Sequence, residues 1–359
     1  RDYFPVIRLF FFSTLPNFAA CKLMVIILLT TAALGAPPNA SACARFANAV
    51  ASSKMPSLQL PTSPWLRLGG NGYGVGGHFV TALEQCVWRD DEARTFGWNW
   101  TRGHTTPVCA PGQTCKAAEC FADFSLASVS TGQGPWTGTA TVPTSAALPV
   151  NTTTLSRLVV SQNISWTFTD LKPGVDPPAI GNGTERRVRM IYDFFLTTVR
   201  PNGSNVASTI TDEVTINMAS NAEFPGSQPP GCIDAASRYG KVGNYGPIVR
   251  NAVWDGYNHW DYWYTDHHDA VPNMGSRFSS FRRVGSEVQN AQPPSEVDLL
   301  PFIEAVRKQW PGEEVGPWLG EVSIGTEIYD YSAGSVTFHK PFTVDAVVAR
   351  EVGGDRVSS

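Results

Sequence analysis

Charge is scarce in this chain. Only 16% of its 359 residues are charged, well under the quarter usual for a soluble domain. The formal net charge is −4, which gives a nucleic-acid partner no electrostatic support. There is no internal repeat, no heptad pattern, no glycine-rich phosphate loop and no G-x-S-x-G elbow. Those absences remove solenoids, coiled coils, nucleotide-binding folds and serine hydrolases of the elbow type, and they leave no cofactor to expect. No clean C-x-x-C pair occurs either, so zinc is a poor account of Cys109, Cys115 and Cys120. A hydrophobic stretch long enough to span a bilayer is also missing, since Pro16, Asn17 and other polar residues interrupt the apolar run in residues 4–36.

What is present suits a rigid extracellular β-protein. Hydrophobic residues make up 42% of the chain, with 32 Gly, 27 Pro, 11 Trp and 19 Phe. The first Met is Met24, and it opens a short apolar stretch that ends in small residues near Gly35–Pro37. This reads as a signal peptide, with residues 1–23 as an upstream extension. Secretion is therefore expected, with no membrane attachment after cleavage. Of the 7 cysteines, Cys21 would leave with the leader. Cys43, Cys86, Cys109, Cys115, Cys120 and Cys232 remain, an even number suited to disulfides whose pairing the spacing does not fix. Glycosylation sequons at Asn39, Asn99, Asn151, Asn163, Asn182 and Asn202 agree with a secretory route.

The organisation along the chain is simple. Residues 1–36 are extension and signal peptide, 37–64 a Pro/Ser-rich, lightly structured lead-in, 65–350 one domain and 351–359 a tail. Within the domain, short alternating segments are broken by Gly, Pro, Asn and Asp, the texture of a β-sandwich or barrel. Alternation is clearest in Arg187–Leu196, Val206–Met218 and Glu321–Tyr329. Period two gives each strand one buried and one wetter face, and Asp193, Glu213 and Glu327 fall on the wetter faces. One helix is expected at 298–310. Asp298 can cap it, Pro301 sits in its first turn, Ile303, Val306 and Trp310 recur at helical spacing, and Pro311-Gly312 ends it.

Two glutamates offered on the open face of one sheet are what glycoside hydrolysis needs, a retaining enzyme holding its two carboxyls about 5–5.5 Å apart. Glu213 and Glu327 meet the facing condition. Glu321 and Glu327 do too, but six residues along one strand is about 20 Å, too far for a pair. A lone Glu on a polar strand face is otherwise simply solvated.

Residues 163–343 resemble glycoside hydrolase family 12, the endoglucanases and xyloglucan hydrolases. Ile164-Ser165-Trp166-Thr167-Phe168-Thr169 is similar to that family's W-S-W-S-Y-T strand, and Met190-Ile191-Tyr192-Asp193-Phe194-Phe195 to its V-A-Y-D-L-F strand. Glu213-Val214-Thr215-Ile216-Asn217 stands where the family has its E-I-M-I-W nucleophile strand. Gly246-Pro247-Ile248 matches its G-P-I. Ser323-Ile324-Gly325-Thr326-Glu327 matches the G-T-E block of the acid/base. Gln85-Cys86 and Trp98-Asn99-Trp100 resemble its Q-C and W-x-W elements. The resemblance implies an all-β jelly-roll sandwich of two antiparallel sheets with one surface helix. It also implies Glu213 as nucleophile, Glu327 as general acid/base and Asp193 as a neighbouring carboxylate that tunes the nucleophile. For Asp193 the plainer alternative is an ion pair with Arg189.

Departures bear on the substrate. Thr215 and Asn217 replace the family's Met and Trp and are expected to line the cleft, Ile328 replaces the Pro after G-T-E, and insertions occupy 101–140 and 219–243. Sugars stack on flat rings, so Trp98, Trp100 and Trp254 are candidate subsite residues, against the competing role of core packing. His267-His268-Asp269 lacks partner ligands at suggestive spacing and reads as a solvated loop. The expected protein is a secreted, monomeric endo-β-1,4-glucanase acting on cellulose or xyloglucan. The rivals are a non-catalytic glucan-binding protein on the same fold, a secreted protein read by another organism's receptors, and a xylanase-type sandwich hydrolase.

Overall fold

The computed structural model describes residues 39–52, 54–71, 79–103, 105–106, 125–132, 147–170, 188–202, 207–220, 249–254, 256, 258–265, 277–285, 291–328 and 332–349. The expected leader at 1–36, the tail at 351–359, Cys21, Cys109, Cys115, Cys120, Cys232, the Gly246-Pro247-Ile248 block and His267-His268-Asp269 lie outside them.

Twenty strands and one α-helix make up the described fold. A six-stranded antiparallel sheet runs in the order β1 (Asn39–Val50), β4 (Phe79–Asp90), β5 (Thr95–Arg102), β19 (Ser332–Phe338), β10 (Ile164–Asp170). The two-residue β6 (Thr105–Thr106) also pairs with β4. The larger sheet runs β13 (Val249–Ala252), β14 (Trp260–Thr265), β15 (Arg277–Arg283), β12 (Ile210–Ser220), β11 (Val188–Thr197), β18 (Glu321–Ile328), β7 (Ser125–Gly132), β3 (Leu66–Asn71), β2 (Lys54–Gln59). Short β17 (Trp318–Leu319) and β8 (Val150–Asn151) extend its side. A three-stranded sheet of β16 (Glu296–Asp298), β9 (Leu155–Ser161) and β20 (Thr343–Val348) completes the strands.

The jelly roll expected from the sequence is present, with two additions. The larger sheet is mixed, because β12 and β15 pair in parallel, and the third sheet was not foreseen. The lead-in also belongs to the fold. Residues 39–50 and 54–59 are strands, and β1 is bridged to β4 by Cys43–Cys86, which are direct cross-strand partners.

The core lies between the two large sheets. Phe96, Trp98 and Trp100 of β5, Trp166 and Phe168 of β10 and Phe338 of β19 face Met190, Tyr192 and Phe194 of β11, Val214 and Ile216 of β12 and Ile324 of β18. Period two then sends the intervening residues of β11, β12 and β18 to the opposite, outward face. The helix, α1 (Leu300–Gln309), buries Phe302, Ile303 and Val306, and Phe302 meets Trp260 edge-on at 4.9 Å. Asp298 accepts the Leu300 amide at 3.1 Å, close to its expected capping role. After Trp310, Gly312 takes a φ of +87°, a turn that excludes other residues cheaply.

Candidate active site

The outward face of the larger sheet carries the sequence-predicted carboxylates, and the ladders fix their levels. One row crosses the sheet at right angles to the strands, through the direct partners Gly69, Ser128, Gly325, Ile191, Asn217 and Arg282. The next runs through Arg67, Ser130, Ser323, Asp193, Thr215 and Ser280. Small side chains dominate these two rows, which make a low band across the sheet, here called the trough, in which Ile191, Thr215, Asn217 and Ser280 are buried. Glu213 stands on one side of it, opposite Phe195, and Glu327 on the other, opposite Arg189.

This arrangement revises one expectation. Glu213 and Glu327 share a face but not a level. Their partners Phe195 and Arg189 are six residues apart on β11, which is about 20 Å of strand. The backbone register alone therefore does not set them side by side as a pair. The carboxyl nearest Glu213 along the ladder is Asp193, a diagonal neighbour on the adjacent strand, where such positions lie about 7–8 Å apart.

Asp193 is the electrostatic centre of the face. Its Oδ1 is buried and finds no hydrogen-bond partner among the described residues. Burial pushes its carboxyl well above the usual range, and the charges of Glu213, Glu327 and Glu321 push it the same way, in that order, with Arg189 opposing. Burial and the neighbouring acids together favour the protonated form of this carboxyl. The alternative ion pair with Arg189 is not what forms. Arg189 donates through Nε and Nη2 to Glu327 instead. Arg67 bonds Glu321 at 2.5 Å and Arg282 bonds Asp261 at 2.9 Å, so each of these acids has its own arginine. Glu327 itself is only 6% exposed, less wet than its strand pattern implied.

The sign of the resulting pH effect follows from linkage. A carboxyl whose folded pKa is raised contributes stability that is complete below its unfolded value and is lost as pH rises through the folded one. Asp193→Asn removes that titration. The variant is expected to lose less stability than the parent between acidic and neutral-to-alkaline pH, measured as thermal midpoints across the range. An unchanged pH slope would contradict the assignment.

The other candidates need correction. Trp98 and Trp100 are buried in the core and so are not sugar platforms, while Trp254 is only partly buried against it. Trp98 is fully buried and its indole donates to Thr326 at 3.1 Å, on the core side of the Glu327 strand. Trp100 donates to Ser332 at 3.1 Å. A Cβ on its partner Gly334 would sit 2.4 Å from the Trp100 ring, so that glycine makes room for the indole. Trp254 packs edge-on against Phe281 at 5.2 Å and Tyr262 at 5.9 Å. The two indoles of β5 do share a face, as alternation required, but that face is the core. Trp98→Phe is accordingly expected to cost about 1–2 kcal/mol through the lost hydrogen bond and to leave glucan affinity unchanged. A shift in affinity without a stability loss would restore the platform reading.

Thr215 and Asn217 do sit on the trough floor, yet both are buried and committed to β15. Thr215 shares a 2.6 Å hydrogen bond with Ser280 Oγ, while Asn217 Nδ2 donates to Ser280 Oγ at 3.2 Å and to the Phe281 carbonyl at 3.0 Å. They hold the parallel β12–β15 pairing rather than offering open contacts to a sugar. Sequence reasoning missed a second buried group, Asp212, bonded bidentately by Arg277 at 2.9 and 2.8 Å. Arg277 also bonds Glu313 at 2.7 Å and lies over the Trp310 ring, which ties the residue before Glu213 to the end of α1.

A β-jelly-roll whose larger sheet carries a transverse trough lined by carboxylates is the class of fold defined here. Solved structures with this fold include the native family 12 xyloglucanase from Bacillus licheniformis, at 15% identity and a TM-score of 0.51, covering 85% of this chain and all of that one. The same kind of enzyme from that organism in complex with ligand matches at 17% identity and a TM-score of 0.51, covering 86% of this chain and all of the other. No protein-family profile matches the sequence, and no curated protein does.

Proposed function

We propose that the trough is the cleft of a secreted endo-β-1,4-glucanase acting on xyloglucan or cellulose. The observation that carries this reading is Asp193, a half-buried residue whose Oδ1 is buried without a described hydrogen-bond partner and whose carboxyl feels the charges of Glu213, Glu327 and Glu321 on the outward face of the larger sheet. Carboxyls whose titration is shifted by burial and by like charges cluster at functional sites. In the reaction, Glu327 gives a proton to the leaving glycosidic oxygen while the Glu213 carboxylate attacks the anomeric carbon. Water deprotonated by Glu327 then releases the sugar and restores Glu213. Asp193, the neighbouring carboxyl on the adjacent strand, tunes the nucleophile through charge rather than through a hydrogen bond.

Retention requires the two carboxyls to meet within about 5–5.5 Å across the trough, whereas a gap of about 6.5–9.5 Å gives inversion. The anomeric configuration of the first product, followed by proton NMR during xyloglucan cleavage, is therefore the test. Retention is expected, and inversion would remove Glu213 from the role of nucleophile.

A second reading rests on the register. Six residues of offset and an arginine on Glu327 suit a protein that binds glucan on this face without cutting it. Tight binding of xyloglucan oligosaccharides with no reducing ends released would favour that protein over the hydrolase.

A further inference from the structure

The outer face of the six-stranded sheet, opposite to the core, carries three sequons. Asn99 and Thr101 are exposed on β5, Asn39 and Ser41 are exposed on β1, and Asn163 with Ser165 is exposed at the start of β10. The ladders put them on one surface. Asn99 is the direct partner of Cys86 and Ser335, Ser41 of Trp88, and Ser165 of Thr337, all with side chains away from the buried Trp98, Trp100 and Trp166. None of the three lies on the larger sheet that holds the carboxylates. Because β5 belongs to the other sheet, a glycan on Asn99 stands clear of the carboxylate face. Asn151 is different: it is half-buried, and its Oδ1 accepts from both the amide and the hydroxyl of Thr153, at 3.0 and 2.7 Å.

We propose that this face is N-glycosylated at Asn39, Asn99 and Asn163, so that glycans cover the back of the sandwich and leave the trough bare. The chemistry is amide-linked attachment of an oligosaccharide to the side-chain nitrogen, with the hydroxyl two residues on as the recognition element. Polar strand faces collect Asn, Ser and Thr for solubility alone, so sequons arise there by chance too. What favours use is that each acceptor and its hydroxyl-bearing residue are exposed in the folded protein, the Ser165 hydroxyl sharing a 2.9 Å hydrogen bond with His339, and that all three avoid the proposed cleft. The Asn99 glycan would stand beside the Cys43–Cys86 bridge, whose Cys43 is exposed on the same surface, and would screen it from reductants.

This inference rests on the secreted reading, and the experiment separates the two. The full chain is expressed in a eukaryotic host twice, once with its own N-terminal segment and once with a heterologous signal peptide. Peptide-N-glycosidase treatment in heavy-oxygen water then marks each occupied Asn as a labelled Asp in mass spectrometry. Label at all three sites with the heterologous signal is expected. Unlabelled Asn99 in protein recovered from the medium would overturn the proposal. Label with the heterologous signal but not with the native segment would leave the acceptor sites standing and sink secretion. Asn99→Gln is expected to speed thiol reduction of Cys43–Cys86 several-fold, and an unchanged rate would refute the screening role.

Discussion

Arg277→Met is expected to cost about 3–5 kcal/mol of stability, because it strands a fully buried carboxylate. Asp212 is 0% exposed and its two oxygens are both bonded by Arg277, at 2.9 and 2.8 Å. Water cannot reach the Asp212 carboxylate to compensate when the guanidinium is gone. Arg277 also bonds the Glu314 carbonyl at 2.7 Å, so the change frees the segment after α1 as well. The check is urea unfolding of parent and variant. Replacing both partners with apolar residues, Asp212→Leu with Arg277→Met, should recover much of the loss, since an apolar pair carries no desolvation penalty. A single variant within about 0.5 kcal/mol of the parent would contradict the account, that being the range of an ordinary surface change.

The second large effect concerns activity. Glu213→Gln and Glu327→Gln are each expected to lower kcat on xyloglucan by about a thousandfold or more, because each removes a group that the chemical steps use, and Glu327→Gln also weakens the pair with Arg189. They should differ on substrates with a good leaving group. An aryl glycoside needs little protonation on departure, so it should rescue the first step for Glu327→Gln and not for Glu213→Gln. If Glu327 serves only as the ion-pair partner of Arg189, its substitution will lower stability and leave both substrates cleaved alike.

Much of this was legible in the residues because period two is a local signal. The strands at 188–197, 210–220 and 321–328 and the helix at 300–309 fall within a few residues of their expected bounds. So do the faces carrying Asp193, Glu213 and Glu327. What was not legible depends on partners distant in the chain. The level of Glu327 against Glu213 is set by two separate ladders on β11, and nothing local in either strand encodes it. Trp98 and Trp100 could be placed on one face from alternation, but only the sheet packed against them shows that face to be the core. Asp212 was readable in principle. It interrupts the apolar face Ile210, Val214, Ile216, Met218, and a charge there demands a buried partner. The lead-in at 37–64 was misjudged because its Ala- and Ser-rich strands carry weak apolar alternation. Their place comes instead from pairing with β4 and β3 and from the Cys43–Cys86 bridge.

The central claim, that the trough cuts glucan with Glu213, is tested most directly by reducing-end release from xyloglucan, β-glucan and carboxymethyl cellulose, with Glu213→Gln run beside the parent. The account predicts release by the parent from at least one of these glucans, falling to background in Glu213→Gln at unchanged circular dichroism. No release by the folded parent from any of them, or equal release by the variant, would contradict it.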